Sequence, residues 1–310
     1  VSAPRRFEAG RHAVLVGATA SGKSSLALEL ARRDPSWELL SVDSMQVYRG
    51  MDLGTAKPTA AEQAEVPHHL IDLLDPWEDG TVAWFQREAE AVLVDLERRG
   101  KRGLLVGGTA LYVQAVVDGL EIPGQYPEAR EEVEGEVDTA ALHRRLAELD
   151  PLAASRMEPG NRRRVVRALE VTLGSGRPFS SWGPGLEAFG PTPFRLVGLA
   201  RTADDLAARI ERRYAGQLEA GFVAEVDALR RHPQGMSRTA RQALGYRELL
   251  EHLEGGPSLE DAVDLAVRRT RRFARRQRAW FRRDPRIAWI DADPDDDDNR
   301  LVGQLAALVG

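Results

Sequence analysis

The stretch Gly17-Ala18-Thr19-Ala20-Ser21-Gly22-Lys23-Ser24 fills every fixed position of the pattern G-x-x-x-x-G-K-[ST], whose chemistry is the capture of phosphate oxygens. Gly17 and Gly22 let the backbone turn several N–H groups toward one anion, and the positive end of a following helix adds to them. Lys23 supplies a mobile positive charge, and Ser24 a hydroxyl suited to Mg²⁺. Such a cradle serves a kinase, a nucleoside triphosphatase or any enzyme whose substrate carries a diphosphate, so the loop alone names no reaction. Two further groups have side chains fit for chemistry: Asp43-Ser44-Met45-Gln46 and Gly107-Gly108-Thr109. The first offers a carboxylate able to accept a proton, and both offer hydroxyl or amide groups for hydrogen bonding.

The flanking patterns say how these groups are held. Residues 13–16 form an apolar run that suits a buried strand, and Leu26, Ala27, Leu30 and Ala31 follow at helical spacing, the strand-loop-helix context that the motif requires. Residues 38–42 read as a strand ending at Asp43, and 102–106 as a strand ending at Gly107; 69–72 reads as a further short strand. Between them Phe85, Ala89, Val92, Leu93 and Leu96 mark one face of a helix over 82–99, closed by Gly100. Ligands of open α/β sheets lie beyond the carboxyl ends of the strands, so the three groups are expected to converge.

This alternation predicts an α/β fold, a P-loop NTPase-like doubly wound parallel sheet with an inserted helical subdomain. Residues 121–191 are charged and helical, with helices over 140–149 and 162–173, and read as the insert; 11–120 and 192–310 read as the core with C-terminal helices. Residues 194–200 return as a strand. Thr202 with Asp205, and Ser258 with Asp261, resemble capping boxes that open helices, the first burying Leu206, Ile210, Tyr214 and Leu218.

With 310 residues, 43% of them hydrophobic and 29% charged, the chain can bury a substantial core. It has no cysteine, which excludes disulfides, cysteine-ligated zinc and thiolate catalysis and suits a reducing cytoplasm. No apolar run of about 18 residues and no basic-then-apolar start is present, so neither a membrane partner nor a secretory signal is expected. The net charge of −5 hides an uneven distribution. Asp291, Asp293, Asp295, Asp296, Asp297 and Asp298 crowd near the C-terminus and read as a solvated turn, lacking the glycine and terminal glutamate of a calcium loop. Arginines cluster at Arg162, Arg163, Arg164 and Arg167 and again along 268–283, two candidate surfaces for a phosphate backbone.

The segments GATASGKS, SVDSMQVYRGMDLGTAKP, LLVGGTALYVQA, RALEV, RQALGYRELL and RRFARRQRAWFRR, in this order from Gly17 to Arg283, resemble the bacterial tRNA dimethylallyltransferase (tRNA isopentenyltransferase) family. The resemblance implies transfer of a dimethylallyl group from dimethylallyl diphosphate to N6 of the adenosine just 3′ of the anticodon, forming N6-(dimethylallyl)adenosine and releasing diphosphate. It assigns Asp43 as general base, Thr109 to the diphosphate or departing oxygen, and Lys23 to the developing charge. Gly17, Thr19, Ala20, Ser21, Gly22, Lys23 and Ser24 become the diphosphate cradle, with Mg²⁺ on Ser24. The tRNA anticodon arm is assigned to Asp43, Ser44, Met45, Gln46 and Thr109, to Asn161, Arg162, Arg163, Arg164 and Val165, and to Arg241 and Gln242, with Gln46 and Ser44 reading the adenine edge. A cytoplasmic, monomeric enzyme is expected.

The residues taken by themselves leave other readings open: a small-molecule kinase, an adenylate isopentenyltransferase, or a nucleic-acid-binding protein with a regulatory loop. Asp43 can also cap its loop, Thr109 can cap the next helix, and Arg162 to Arg164 can be a solvated helix face. On the last long helix Arg276, Gln277 and Trp280 are expected to share a face, with Phe273 and Phe281 in the core. Ala18 stands where the family usually has proline, a difference in loop stiffness more than in chemistry.

Overall fold

Six short strands pair in parallel in the order β3-β2-β4-β1-β5-β6 in the computed structural model, which describes residues 7–310. They are β1 (Ala13–Gly17), β2 (Trp37–Val42), β3 (His68–His69), β4 (Arg102–Gly107), β5 (Arg195–Ala200) and β6 (Ala288–Asp291). β1 alternates Val14 and Val16 toward one core with Ala13 and Leu15 toward another; helices cover both faces, which is why the strand is apolar throughout. The helices are α1 (Lys23–Arg33), α2 (Ala60–Glu65), α3 (Val82–Arg98), α4 (Ala110–Asp118), α5 (Pro127–Glu134), α6 (Thr139–Leu149), α7 (Pro151–Ser155), α8 (Arg162–Ser175), α9 (Ala203–Glu219), α10 (Phe222–Arg231), α11 (Tyr246–Leu253), α12 (Leu259–Phe281) and α13 (Asp298–Val309). Side chains of α3, α4, α9, α11 and α12 fill one core, those of α1 and α13 the other. No helix among the described residues is long and apolar enough to cross a membrane.

The chain divides into two units, one built from residues up to Asp118 and from Phe189 onward, the other from Gly119–Ala188. The second unit is helical, α5 to α8 closing over Val133, Leu142, Leu146, Val165 and Leu169. A buried carboxylate of this unit, Glu170, accepts from the Tyr126 N–H and pairs with Arg130 and Arg167.

Three local expectations change. The strand placed at 69–72 is only β3, because Leu70 and Asp72 both adopt positive φ and turn the chain. The Asp-rich run starts a helix: Asp297 accepts from the Asn299 N–H at the head of α13, and Asp296 pairs with Arg300, the placement that helix dipoles favour for acids. Thr202 caps α9 as expected, but the Asp205 carboxylate bonds Arg201 at 2.9 Å instead of completing a capping box.

β4 is inserted between β2 and β1, and this fixes Gly107, where a side chain would drive into the Val42 carbonyl. Gly107→Ala is expected to lower stability by about 1–3 kcal/mol, read as a reduced urea midpoint at unchanged m-value.

Candidate active site

The phosphate loop sits at the carboxyl end of β1, with Gly22 at φ 92 as the residue before α1 and no side chain capping that helix. Its first-turn N–H groups, including those of Lys23 and Ser24, have no intrahelical partner and are available to an anion. The loop carbonyls and its one polar side chain on the outer side are held by arginines. Arg201 Nε donates to the Ser21 carbonyl at 2.6 Å, Arg209 Nε to the Ala20 carbonyl at 2.9 Å, and Arg213 to Thr19 Oγ1 at 3.0 Å. Gly22 N–H, trans to the Ser21 carbonyl across one peptide, faces away from Arg201. Ala20 itself sits at φ 64, a conformation that costs a non-glycine residue about 1–3 kcal/mol and needs such support.

Lys23 Nζ donates to the Ala18 carbonyl at 3.3 Å. Loss of hydration, with Arg213 adding repulsion and Asp43 opposing both, lowers its ammonium to about 8. Burial also lowers Arg213, whose neighbours include Arg209 and Asp43. Lysine, arginine and carboxylate therefore share one electrostatic neighbourhood. Ser24 is exposed on the first turn of α1, and no cluster of three metal-ligating acids or histidines occurs among the described residues. That donor set fits a cation held chiefly by substrate oxygens and water, as Mg²⁺ commonly is.

Asp43 and Thr109 follow the ends of β2 and β4, adjacent strands. Asp43 Oδ1 accepts from the Met45 N–H at 2.8 Å, so one oxygen does cap the loop; Thr109 Oγ1 accepts from the Ser44 N–H at 3.2 Å. The Thr109 hydroxyl thus braces the Asp43 loop, and its own hydrogen stays available to donate. Gln46 is more committed than expected for a base reader. Its amide oxygen accepts from Ser41 Oγ and its nitrogen donates to the Thr55 and Ala56 carbonyls, which shapes the loop after Asp43.

Among the other assigned tRNA contacts, three do structural work. Asn161 caps α8, Arg162 donates to the carbonyls of Glu134, Glu136 and Val137, and Val165 is 0% exposed in the second unit's core. Val165 therefore has no surface to offer RNA. Arg163, Arg164 and Gln242 are exposed, and Arg241 is exposed but paired with Glu254 at 2.6 Å. Gln277 corrects the face assigned to α12. It is 5% exposed, while Arg276 points to solvent and Phe273 is only half-buried. Its Oε1 accepts from the Thr19 N–H at 2.9 Å and its Nε2 donates to the Gly108 carbonyl at 2.8 Å. A cavity lined in part by Val113, Trp280 and Phe281 touches no phosphate-loop residue.

Residues 46–284 match the model of the family described as IPP transferase. The chain belongs to the IPP transferase family. A tRNA dimethylallyltransferase of Kineococcus radiotolerans is 48% identical over 95% of both chains, and one of Geobacter metallireducens is 44% identical over 92% of this chain and 93% of its own. Among solved structures, a full-length tRNA isopentenylpyrophosphate transferase of Bacillus halodurans superposes with a TM-score of 0.70 at 37% identity, covering 97% of each chain. A eukaryotic dimethylallyltransferase acting on tRNA superposes with 0.78 at 26% identity, over 96% of this chain and 77% of its own. In this IPP transferase the residues that sequence reading missed are Arg201, Arg209, Arg213 and Gln277. A signal for the arginines existed: Arg201, Asp205, Arg209, Arg213 and Gln217 recur every fourth residue beside the apolar Leu206, Ile210 and Tyr214.

The division of labour on α8 is testable by thermal unfolding. Arg162→Ala is expected to cost about 1 kcal/mol through its lost carbonyl bonds, whereas Arg163→Ala and Arg164→Ala leave the transition in place.

Proposed function

We propose that this chain transfers the dimethylallyl group of dimethylallyl diphosphate to N6 of the adenosine just 3′ of a tRNA anticodon. The observation that carries the reading is a hydrogen-bonded run from the phosphate loop through Gln277, Gly108 and Thr109 to the Asp43 loop, so that a cradle for a leaving anion after β1 and a carboxylate after β2 are joined across the end of β4, the strand between them. Membership of a family whose relatives are tRNA dimethylallyltransferases supports it.

In the reaction the C–N bond forms between N6 and the allylic C1 while the C1–O bond breaks, its electron pair leaving with the diphosphate. The amine nitrogen, a poor nucleophile because its lone pair is delocalised, becomes acidic as the bond forms, and its proton passes to the Asp43 carboxylate. Loop N–H groups, Lys23 and Arg213 meet the negative charge that grows on the diphosphate, an interaction stronger in the transition state than before it. The Thr109 hydroxyl, already accepting from Ser44, donates to a diphosphate oxygen. The Ser24 hydroxyl would help hold a Mg²⁺, which when bound would supply further charge neutralisation on the diphosphate.

The target base is stacked in its loop and must be turned out to reach Asp43; Arg163, Arg164, Arg241 and Gln242 are assigned to hold the anticodon arm meanwhile. An exposed pair such as Arg241 with Glu254 is worth about 0–1 kcal/mol, little to give up for a phosphate. One chain contains the whole set of assigned residues, so we take the monomer as the acting unit, in the cytoplasm where tRNA is modified.

Labelled dimethylallyl diphosphate with unmodified tRNA tests the proposal: label enters the RNA and diphosphate appears only when tRNA is present. No incorporation, or ADP formation from ATP with a small acceptor, defeats it. Asp43→Asn is expected to keep tRNA affinity and lose turnover by about a hundredfold or more. The Lys23 ammonium loses its charge as pH rises through about 8, so kcat/KM for the donor should fall about tenfold per unit above that pH. Lys23→Arg, charged throughout, should remove this alkaline limb.

A further inference from the structure

Gln277 is a neutral, polar residue flanked on α12 by Arg275, Arg276 and Arg278, yet like Thr270 it is turned inward, on the buried row of Thr270, Ala274 and Phe281. A buried amide left without partners costs roughly 1–3 kcal/mol, and here both ends are satisfied in the only orientation the partners permit. The Thr19 N–H can only donate and the Gly108 carbonyl can only accept, so Oε1 faces the first and Nε2 the second. The two groups bridged belong to different strand ends, β1 and β4. One residue beyond each bridgehead stands a group assigned to the diphosphate: Ala20 in the strained bend of the cradle, and Thr109. Gly108 is glycine for the same reason, since a side chain there would collide with Gln277 Nε2. Thr19 is pinned twice, its N–H by α12 and its hydroxyl by Arg213 of α9.

We propose that Gln277 is a positioning residue for the diphosphate donor. Its amide sets the spacing between the N–H cradle and the Thr109 hydroxyl, so that both meet the diphosphate as one preformed site. The proposal deepens the donor assignment made above and rests on it. It does not place Gln277 in contact with the reacting atoms. Without the bridge the loop and the glycine turn can each relax. Diphosphate then has to order them on binding, which raises donor KM, and Thr109 is misplaced for the departing oxygen, which lowers kcat. The residues assigned above to hold the anticodon arm, Arg163, Arg164, Arg241 and Gln242, take no part in this bridge, so tRNA affinity is expected to survive its loss.

The test uses the full-length enzyme and three variants, measuring donor KM and kcat, tRNA Kd, binding of inorganic pyrophosphate, and hydrogen exchange at the Thr19 amide. Gln277→Met keeps the shape and removes both bonds. It should accelerate Thr19 exchange, weaken pyrophosphate binding and lower donor kcat/KM by about 10–100-fold, in both KM and kcat, with tRNA Kd unchanged. Gln277→Glu keeps an acceptor for Thr19 but loses the donor to Gly108 and adds a negative charge, so its Thr19 amide stays protected while donor KM rises further than in the methionine variant. Gly108→Ala displaces the amide without removing it and should give the same donor-specific loss. Combined with Gln277→Ala, which vacates the space, it should be no worse than the poorer single variant.

Donor KM and kcat at wild-type values in Gln277→Met overturn the proposal. So do losses of donor and tRNA binding in equal proportion, following a fall in melting temperature, because that is the signature of a purely structural residue. Wild-type enzyme that binds pyrophosphate through a Gln277-dependent site but transfers no label would instead sink the proposed function and leave the bridge standing.

Discussion

A loop that offers N–H groups to an anion must find partners for its carbonyls, which are as polar and as costly to leave unpaired. In this protein that constraint organises the site. Arg201 and Arg209 take the Ser21 and Ala20 carbonyls from outside, and Gln277 and Arg213 hold Thr19 by its N–H and its hydroxyl. Charge-assisted bonds of about 1.5–3 kcal/mol each offset the strain at Ala20. They also concentrate positive charge around Lys23, which burial and Arg213 hold below its ordinary range. The protein thus carries electrostatic repulsion between Lys23 and Arg213 that the diphosphate of the proposed reaction would relieve.

Topology explains why residues so far apart in the chain meet. β4 pairs with β2 on one side and β1 on the other, and β5 pairs with β1. All run parallel, so the residues after β2, β4, β1 and β5 form a row at one edge: Asp43, Gly108 and Thr109, the phosphate loop, Arg201. The close packing that brings β2 and β4 together leaves Gly107 no space for a side chain. The Asp43 loop is braced further along. Glu225 accepts from the N–H groups of Asp52, Leu53 and Gly54, and Lys57 bonds Asp52, Asp72 and the Tyr48 carbonyl. Such bracing suits a base held in place before substrate arrives.

What the sequence made legible is what local periodicity encodes. Apolar runs bounded by glycine and acid marked β1, β2 and β4, and the strand-end rule then brought Asp43 and Thr109 to the phosphate loop. What it hid depends on which way a polar side chain faces in the packed molecule. Gln277 keeps the three-and-four spacing of Thr270, Ala274 and Phe281, but an amide among arginines reads as surface. Arg213 likewise reads as one more exposed charge on α9 until Thr19 lies beside it. Val165 departs in the opposite direction: a position assigned to RNA by resemblance is core, because it lies on the apolar face of α8 with Val166, Ala168 and Leu169. The acids of 291–298 hid β6 and α13 because six carboxylates in eight residues read as a solvated turn, although Asp297 is the cap that starts α13.

The arrangement also separates the two things a prenyl transfer must dispose of. In the proposed reaction the proton goes to a carboxylate on the β2 side and the diphosphate stays with cationic groups on the β1 and β5 side, with Thr109, just after β4, between them. If Asp43 stood among the arginines of α9 as Asp205 does, paired with Arg201 at 2.9 Å, it would be tied up as a structural ion pair. Its own hydrogen bond is instead to a backbone N–H through one oxygen, which fixes its direction and leaves the other oxygen to face a nucleophile. Asp205 and Asp43 are the same residue type: the first turn of α9 sets one against Arg201 as a brace for the cradle, and the loop after β2 sets the other where the proposed reaction needs a proton acceptor.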